Sequence, residues 1–351
     1  MSDRFMIYGA TGYTGKLTSR MAKEKGLNPI LAGRNADKVK AVAEPLGLEW
    51  RAIDLADKAA LQAGLQDVNA VLHIAGPFSA TSAPMADACI ATGTHYLDIT
   101  GEISVFEALA ARNAEAQAAG VMLLPGCGFD VVPSDCLAAH MARRMPDAKS
   151  LKIFISGMGN ASRGTMKTGV ESIGTGTKVR RGGKIVNAKP VPEATRDLGA
   201  GEKPYIAVSW GDVSTAFHST NIPDIDIYFE AVGPMKAMGK IPGFLTPVLQ
   251  SGPVQNFLRK QIDKGPEGPT DEQRAVGEAI LMGEVEHADG TVMRSRLRCV
   301  EGYTLTYMSG LEIAGRAARG EVPTGFQTPS KAFGPDFIME FDGSDRQDIN
   351  S

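Results

Sequence analysis

Apolar and polar positions exchange in a regular rhythm over the first third of this chain. Apolar runs of four or five residues recur at 5–8, 29–32, 49–53, 70–74, 96–99 and 121–124. Between them lie stretches with helical periodicity at 12–25, 36–46, 58–65, 83–92 and 103–119. Runs this short and this apolar suit strands buried on both faces, and their alternation with helices predicts a parallel sheet covered on both sides. Asp57 and Ser82 stand where helix N-caps belong, and Gly26, Gly47, Gly93 and Gly120 fall just past helix ends.

The rhythm changes after Gly126. A helix is expected at 132–144, a strand at 151–156, and a helix at 164–178 capped by Ser162. Strands follow at 183–186, 205–209, 225–230, 277–287 and 291–300, the last two joined by Ala288-Asp289-Gly290, a hairpin signal. The segment 231–272, rich in Pro, Gly and Met, reads as a helical excursion, and helices are expected at 303–319 and 330–339. The fold class is therefore α/β: a Rossmann doubly wound parallel sheet over 1–130, an α+β substrate and dimerisation domain with a mostly antiparallel sheet over 131–300, and C-terminal helices over 301–351 returning to the first domain.

Composition narrows the setting. A net charge of -3 gives no reason to expect nucleic acid or an acidic membrane surface. The apolar runs fall far short of the roughly 18 residues of a membrane span. The start, Ser2-Asp3-Arg4, does not resemble a signal peptide. Cys89, Cys127, Cys136 and Cys299 lack C-x-x-C spacing, so neither disulfides nor a metal site is expected, and a cytoplasmic location is the default.

The chemistry starts at the first strand. Gly9-Ala10-Thr11-Gly12-Tyr13-Thr14-Gly15 lies between a strand and a helix. That is where a doubly wound fold holds a dinucleotide pyrophosphate: glycines allow close approach, and amides at the helix start point at the negative charge. The candidates here are Gly9, Thr11, Gly12, Tyr13, Thr14 and Gly15. The second strand ends in Leu31-Ala32-Gly33-Arg34-Asn35 with no acid to accept from a ribose 2′-OH. Arg34 offers a guanidinium fork to a 2′-phosphate and Asn35 a further donor, which favours NADP(H) over NAD(H). As a loop residue Arg34 also reads simply as solvated. Asp54, ending the third strand, suits either the adenine amino group or the cap of a turn. Ala75, Gly76, Pro77 and Phe78 end the fourth strand and would flank the nicotinamide.

Beyond the fifth and sixth strands lie the candidates for proton chemistry. Tyr96, Asp98 and Glu102 lie at or beyond the carboxyl end of the fifth; Cys127 and Asp130 lie beyond the sixth. His218, in an expected loop of the second domain, is a candidate proton donor reaching across to substrate. Arg163 and Thr165 precede a helix whose start suits a substrate anion. Each has an ordinary structural use as well: the acids as helix caps, Cys127 as a small packed side chain.

These segments, with Thr94–Glu102, Pro125–Asp135, Ser162–Thr165, Trp210–Thr220 and Gly325–Pro329, resemble the saccharopine dehydrogenase-like oxidoreductase family, in its trans-acting enoyl reductase-like branch. The likeness runs over nearly the whole chain. It implies an NADP(H)-dependent oxidoreductase acting on a small-molecule substrate, and a homodimer formed through the second domain's sheet. Saccharopine reductases carry a Gly-Leu-Asp-Pro-Gly-Ile-Asp type segment where this chain has Gly126–Asp135, which disfavours an amino-acid substrate. Reduction of an enoyl-type C=C bond is therefore expected ahead of saccharopine-like C=N or C–N chemistry. A nucleotide-bound partner protein without chemistry of its own is the third reading.

Overall fold

The computed structural model describes residues 3–157, 159, 161–172, 176–231 and 246–349. Two compact units emerge, one of residues 1–132 with 303–337 and the other of 133–302 with 338–351.

The first unit alternates strand and helix: β1 (Phe5–Tyr8), α1 (Tyr13–Glu24), β2 (Ile30–Gly33), α2 (Ala36–Ala43), β3 (Trp50–Ala52), α3 (Lys58–Leu65), β4 (Ala70–His73), α4 (Phe78–Thr92), β5 (His95–Asp98), α5 (Ile103–Ala110), α6 (Asn113–Ala118) and β6 (Met122–Leu124). A further short strand, Gly325–Phe326, pairs parallel with β6. Among the described residues this gives a seven-stranded sheet, ordered Gly325–Phe326, β6, β5, β4, β1, β2, β3. Pairing is parallel throughout. The order reverses at β1, with β2 on one side and β4 on the other, so a ligand crevice is expected outside the carboxyl ends of β1 and β4. β1, β2 and β4 are wholly buried, which is why their sequences are almost entirely apolar, His73 at the end of β4 excepted. Asn35 and Asp57 cap α2 and α3, accepting from Lys38 N and Ala60 N at 3.0 Å.

Two helix expectations change. The helix expected over 103–119 is two, α5 and α6, separated at Ala111 and Arg112. α4 begins at Phe78, well before the expected cap Ser82, because its N-terminus is capped from another loop.

The second unit contains α7 (Val132–Arg144), β7 (Ser150–Ser156), α8 (Arg163–Ser172), the hairpin β8 (Lys178–Arg181) and β9 (Lys184–Asn187), β10 (Glu193–Asp197), β11 (Glu202–Ala207), α9 (Asp212–Thr220), β12 (Asp224–Glu230), β13 (Glu278–Glu286) and β14 (Val292–Val300). Its sheet runs β10, β11, β12, β7, β13, β14 and a last strand Asp345–Ile349, with β8 also on β12. β12 and β7 are parallel; the other pairs are antiparallel. Phe154, Tyr205 and Tyr228 pack on one face, Phe154 stacked on Tyr228 at 4.7 Å. Within the expected excursion 231–272, helices form at Gly252–Lys264 and Asp271–Val276, while 232–245 lies outside the described residues.

The C-terminal region does not return to the first unit as a whole. Helices Gly302–Ala318 and Pro329–Phe333 lead through it, but Asp345–Ile349 pairs antiparallel with β14 in the second unit. A strand written Asp-Arg-Gln-Asp-Ile carries no apolar alternation. It exists because β14 offers an unpaired edge.

Candidate active site

The turn after β1 has the shape a pyrophosphate needs. Gly9 sits at φ +95, and a Cβ there would meet Ala75 N at 2.7 Å, so the loops after β1 and β4 touch across the crevice. A Cβ at Gly15 would run into the Gly9 carbonyl oxygen. Both positions exclude side chains for reasons internal to the turn. Gly12 differs: it is exposed, and a Cβ there would lie 3.7 Å from Gly9 O with nothing nearer. Gly12 N donates to Gly9 O at 3.2 Å, whereas the first-turn amides of α1 that follow have no acceptor within their helix. Tyr13 packs edge-on against Tyr303 at 5.2 Å, fixing the start of α1.

At the end of β2, Arg34 is exposed and has no hydrogen bond or ion pair among the described residues. Other arginines at the sheet's edge are engaged: Arg4 with Glu49 and Asp67, Arg51 with Glu49 and Asp67. Arg34 and Asp54 both lie within electrostatic reach of the Tyr8 hydroxyl, whose pKa is pushed up to about 12 mainly by burial, then by Asp54, against the Arg34 charge. Asn35 has two uses. Its carbonyl oxygen caps α2, which leaves only its NH2 group to face a ligand. Asp54 closes its own turn, accepting from Ala56 N at 3.0 Å. An open glycine face, α1's amides and an unengaged guanidinium together fit a dinucleotide bearing a 2′-phosphate.

The other half of the crevice is built differently. Tyr96, Asp98 and Cys127 are fully buried and bonded to one another's loops. Tyr96 Oη donates to Asp98 Oδ2 at 2.6 Å, Asp98 Oδ1 accepts from Thr100 N and Gly126 N, and the Cys127 thiol donates to the Asp98 carbonyl at 2.8 Å. Burial raises Asp98 to about 6, against the hydrogen bonds from Tyr96, Thr100 and Gly126 that hold it down. Burial also pushes the Cys127 thiol well above its ordinary value, so it is no thiolate. All three are buried and bonded within the fold, which they brace.

Asp130 behaves otherwise. It keeps some solvent contact and has no hydrogen-bond or ion-pair partner among the described residues. Its surroundings exclude enough water to push its carboxyl up to about 7. A Cβ at Gly101 would lie 2.7 Å from Asp130 Oδ2, so glycine there makes room for the carboxyl. The helix Gly302–Ala318 holds the loop that carries it. Phe129 N donates to Thr306 Oγ1 at 3.0 Å, and Ser309 Oγ to the Cys127 carbonyl at 2.7 Å.

Gly76 and Pro77 are exposed at the end of the β4 turn and Phe78 is half-buried. Sequence reading did not single out His73. It is fully buried beneath that turn, ringed by Tyr8, Phe78 and Tyr96 at 5.5, 5.5 and 6.3 Å between ring centres. Neither ring nitrogen has a hydrogen-bond partner among the described residues, and burial lowers its pKa to about 3. A histidine ending an apolar strand gives no signal in sequence beyond its position.

In the second unit, His218 lies within α9, not in a loop, its ring 6.0 Å from that of Phe217. Ser134 Oγ donates to Asp212 Oδ2 at 2.8 Å, and Ser219 Oγ to Asp135 Oδ1 at 2.5 Å, clamping α7 to α9. The Arg163 guanidinium is bonded to the Gly265 carbonyl and Thr165 N to Ser162 Oγ, so neither is poised for a substrate anion.

The crevice defines a dinucleotide-binding Rossmann unit of the kind found in nicotinamide-dependent oxidoreductases. Residues 5–124 match the saccharopine dehydrogenase NADP binding domain. A trans-acting enoyl reductase of Mycobacterium leprae is 34% identical over 148 residues, which is 40% of this chain and 35% of the relative. One from Mycobacterium tuberculosis (strain ATCC 25618 / H37Rv) is 32% identical over 147 residues, again 40% of this chain and 35% of the relative. The chain thus matches about a third of the length of these relatives. Among solved structures, apo saccharopine dehydrogenase (L-Glu forming) from Saccharomyces cerevisiae has a TM-score of 0.66 at 13% identity, covering 99% of this chain and 100% of the other. Homospermidine synthase from Legionella pneumophila in complex with NAD has a TM-score of 0.64 at 10% identity, covering 100% and 92%. These two likenesses are of fold. No helix among the described residues is long and apolar enough to cross a membrane.

Proposed function

We propose that this protein reduces a C=C bond conjugated to a carbonyl in a small or acyl substrate, using NADPH. The observation that carries the reading is Asp130: a carboxyl beyond β6, without a partner among the described residues, and raised to about 7. A group that titrates near the working pH is suited to give and take a proton in the transition state. Gly9, Thr11, Gly12, Tyr13, Thr14 and Gly15 would hold the pyrophosphate, Arg34 the 2′-phosphate, and Ala75–Phe78 the nicotinamide side. When bound, the nicotinamide supplies the hydride. Asp130 in its acid form then delivers a proton to the neighbouring carbon and is restored from solvent. The Asp98, Tyr96 and Cys127 braces keep its loop in place. The relatives' name favours an enoyl substrate over an amino-acid adduct.

NADPH consumption measured with short enoyl thioesters and, separately, with amino acid–keto acid pairs tests this. Turnover of the thioesters is expected. Turnover confined to the amino acid–keto acid pairs would replace C=C reduction by C=N reduction. NADPH binding with no turnover until a second enzyme is added would make the chain a partner protein.

A further inference from the structure

The loops after β4, β5 and β6 are fastened together by one short segment, residues 98–102. On one side, Asp98 Oδ1 accepts from Thr100 N at 2.9 Å and from Gly126 N at 3.0 Å, and the Asp98 carbonyl accepts from Cys127 N at 2.8 Å. This ties the β5 loop to the loop that carries Asp130. On the other side, Glu102 reaches the loop after β4. Its Oε1 accepts from Phe78 N and its Oε2 from Ser79 N, both at 2.8 Å. Glu102 is itself held, its N–H donating to Thr100 Oγ1 at 3.0 Å.

Phe78 and Ser79 are the first two helical residues of α4, and the N-cap residue, Pro77, brings no side-chain acceptor of its own. Two orphan amides at a helix start, met by the two oxygens of one carboxylate, make a charge-assisted clamp that fixes orientation as well as distance. The clamped peptide directly follows Ala75-Gly76-Pro77. The Phe78 ring it aims packs edge-on against His73 beneath the turn.

We infer that Glu102 is a positioning residue for the nicotinamide half of the cofactor: it holds the Ala75–Phe78 turn in the shape the ring needs. This rests on the reading that the turn flanks the nicotinamide. Without the clamp the turn must be ordered at the moment of binding, and that ordering is lost affinity. A glutamine keeps one acceptor but turns an NH2 group toward the second amide, so one bond is lost. An aspartate keeps the charge but is one methylene short of spanning both amides.

The test is calorimetric titration of wild type, Glu102→Gln and Glu102→Asp with two probes: NADPH, and adenosine 2′,5′-bisphosphate, which lacks the nicotinamide half. Thermal melts of each protein establish that it is folded. Both variants are expected to bind the bisphosphate as wild type does and to bind NADPH roughly tenfold more weakly, a loss of about 1.4 kcal/mol. Unchanged NADPH affinity in the folded variants overturns the inference. Equal weakening of both probes, as a general loosening of α4 would give, overturns it too. A wild type that binds the bisphosphate no more weakly than NADPH overturns the placement of the nicotinamide at this turn, and the inference with it.

Discussion

The two halves of the crevice sit on one sheet and are built on opposite plans. At the β1–β2 end the functional groups are left open: Gly12 faces free space, and Arg34 has no partner among the described residues. At the β4–β5–β6 end nearly every polar group is already bonded within the protein. Tyr96, Asp98, Cys127 and Glu102 all brace neighbouring loops, and Asp130 stands apart from them. The first plan suits affinity, since charges and amides that await a ligand gain their hydrogen bonds on binding. The second suits geometry, since a reacting carbon must be placed within a fraction of an ångström while few groups act on it. Among the acids at the braced end, Asp130 is the one without a hydrogen-bond or ion-pair partner among the described residues.

The sharpest way to break this contrast is at Asp130. Asp130→Asn is expected to slow turnover roughly 100- to 10,000-fold with NADPH affinity unchanged. Because the acid form is the donor, the wild-type rate should fall as pH rises through about 7, and the variant should lose that limb of the profile. Steady-state rates across pH, with fluorescence titration of NADPH, check both.

The glycines come next. Gly15→Ala forces a Cβ against the Gly9 carbonyl and is expected to cost about 1–3 kcal/mol of stability as well as NADPH binding. Gly12→Ala should leave stability within about 0.5 kcal/mol of wild type. It should still weaken NADPH, because its methyl group enters only ligand space. Urea melts and titrations on the same samples separate the two effects.

Arg34→Ala should weaken NADPH roughly 10- to 100-fold while leaving NADH unaffected, as the loss of a charge-assisted contact to the 2′-phosphate requires. Parallel titrations with the two nucleotides measure it.

A pH-dependent effect concerns His73, at the braced end. Its folded pKa, about 3, lies below the unfolded value of about 6.5. The unfolded chain therefore takes up a proton below pH 6.5 that the folded protein refuses until about 3, and stability falls with pH across that window. At pH 5 this single group is expected to cost about 2 kcal/mol. His73→Phe should remove that share. Asp98 and Asp130, raised to about 6 and about 7, act in the opposite sense over the same range but are common to both proteins. The difference between wild type and variant in urea melts at pH 7 and pH 5 isolates His73.

Legibility in the sequence followed the same division. The glycine turn and the alternation of strand and helix were readable because they depend on local order: backbone shape and apolar runs. The start of α4 was not. Ser82 looked like its cap, but Glu102, two elements further on, extends the helix back to Phe78. The carbonyl of Asn35 also caps α2, a use that only the helix start shows. His218 looked like a loop residue, yet it lies on α9, which Ser134 and Asp135 clamp from α7. The strand Asp345–Ile349 has no pattern of its own and is made by its neighbour's free edge.

By itself the sequence determined the doubly wound first unit, the second unit with its mostly antiparallel sheet, and an NADP-binding domain at the start of the chain. Each follows from interactions between residues close along the chain. Only the tertiary structure decided which of the acids at the ends of β5 and β6 are bonded within the protein and which is not. Asp98, Glu102 and Asp130 are the same chemical type within 33 residues of one another. Whether such a group is a brace or an acid depends on which amides and hydroxyls distant segments bring to it. Asp98 and Glu102 are met by Gly126, Tyr96, Phe78 and Ser79. Asp130 is met by the bare backbone of Gly101 and has no hydrogen-bond or ion-pair partner among the described residues.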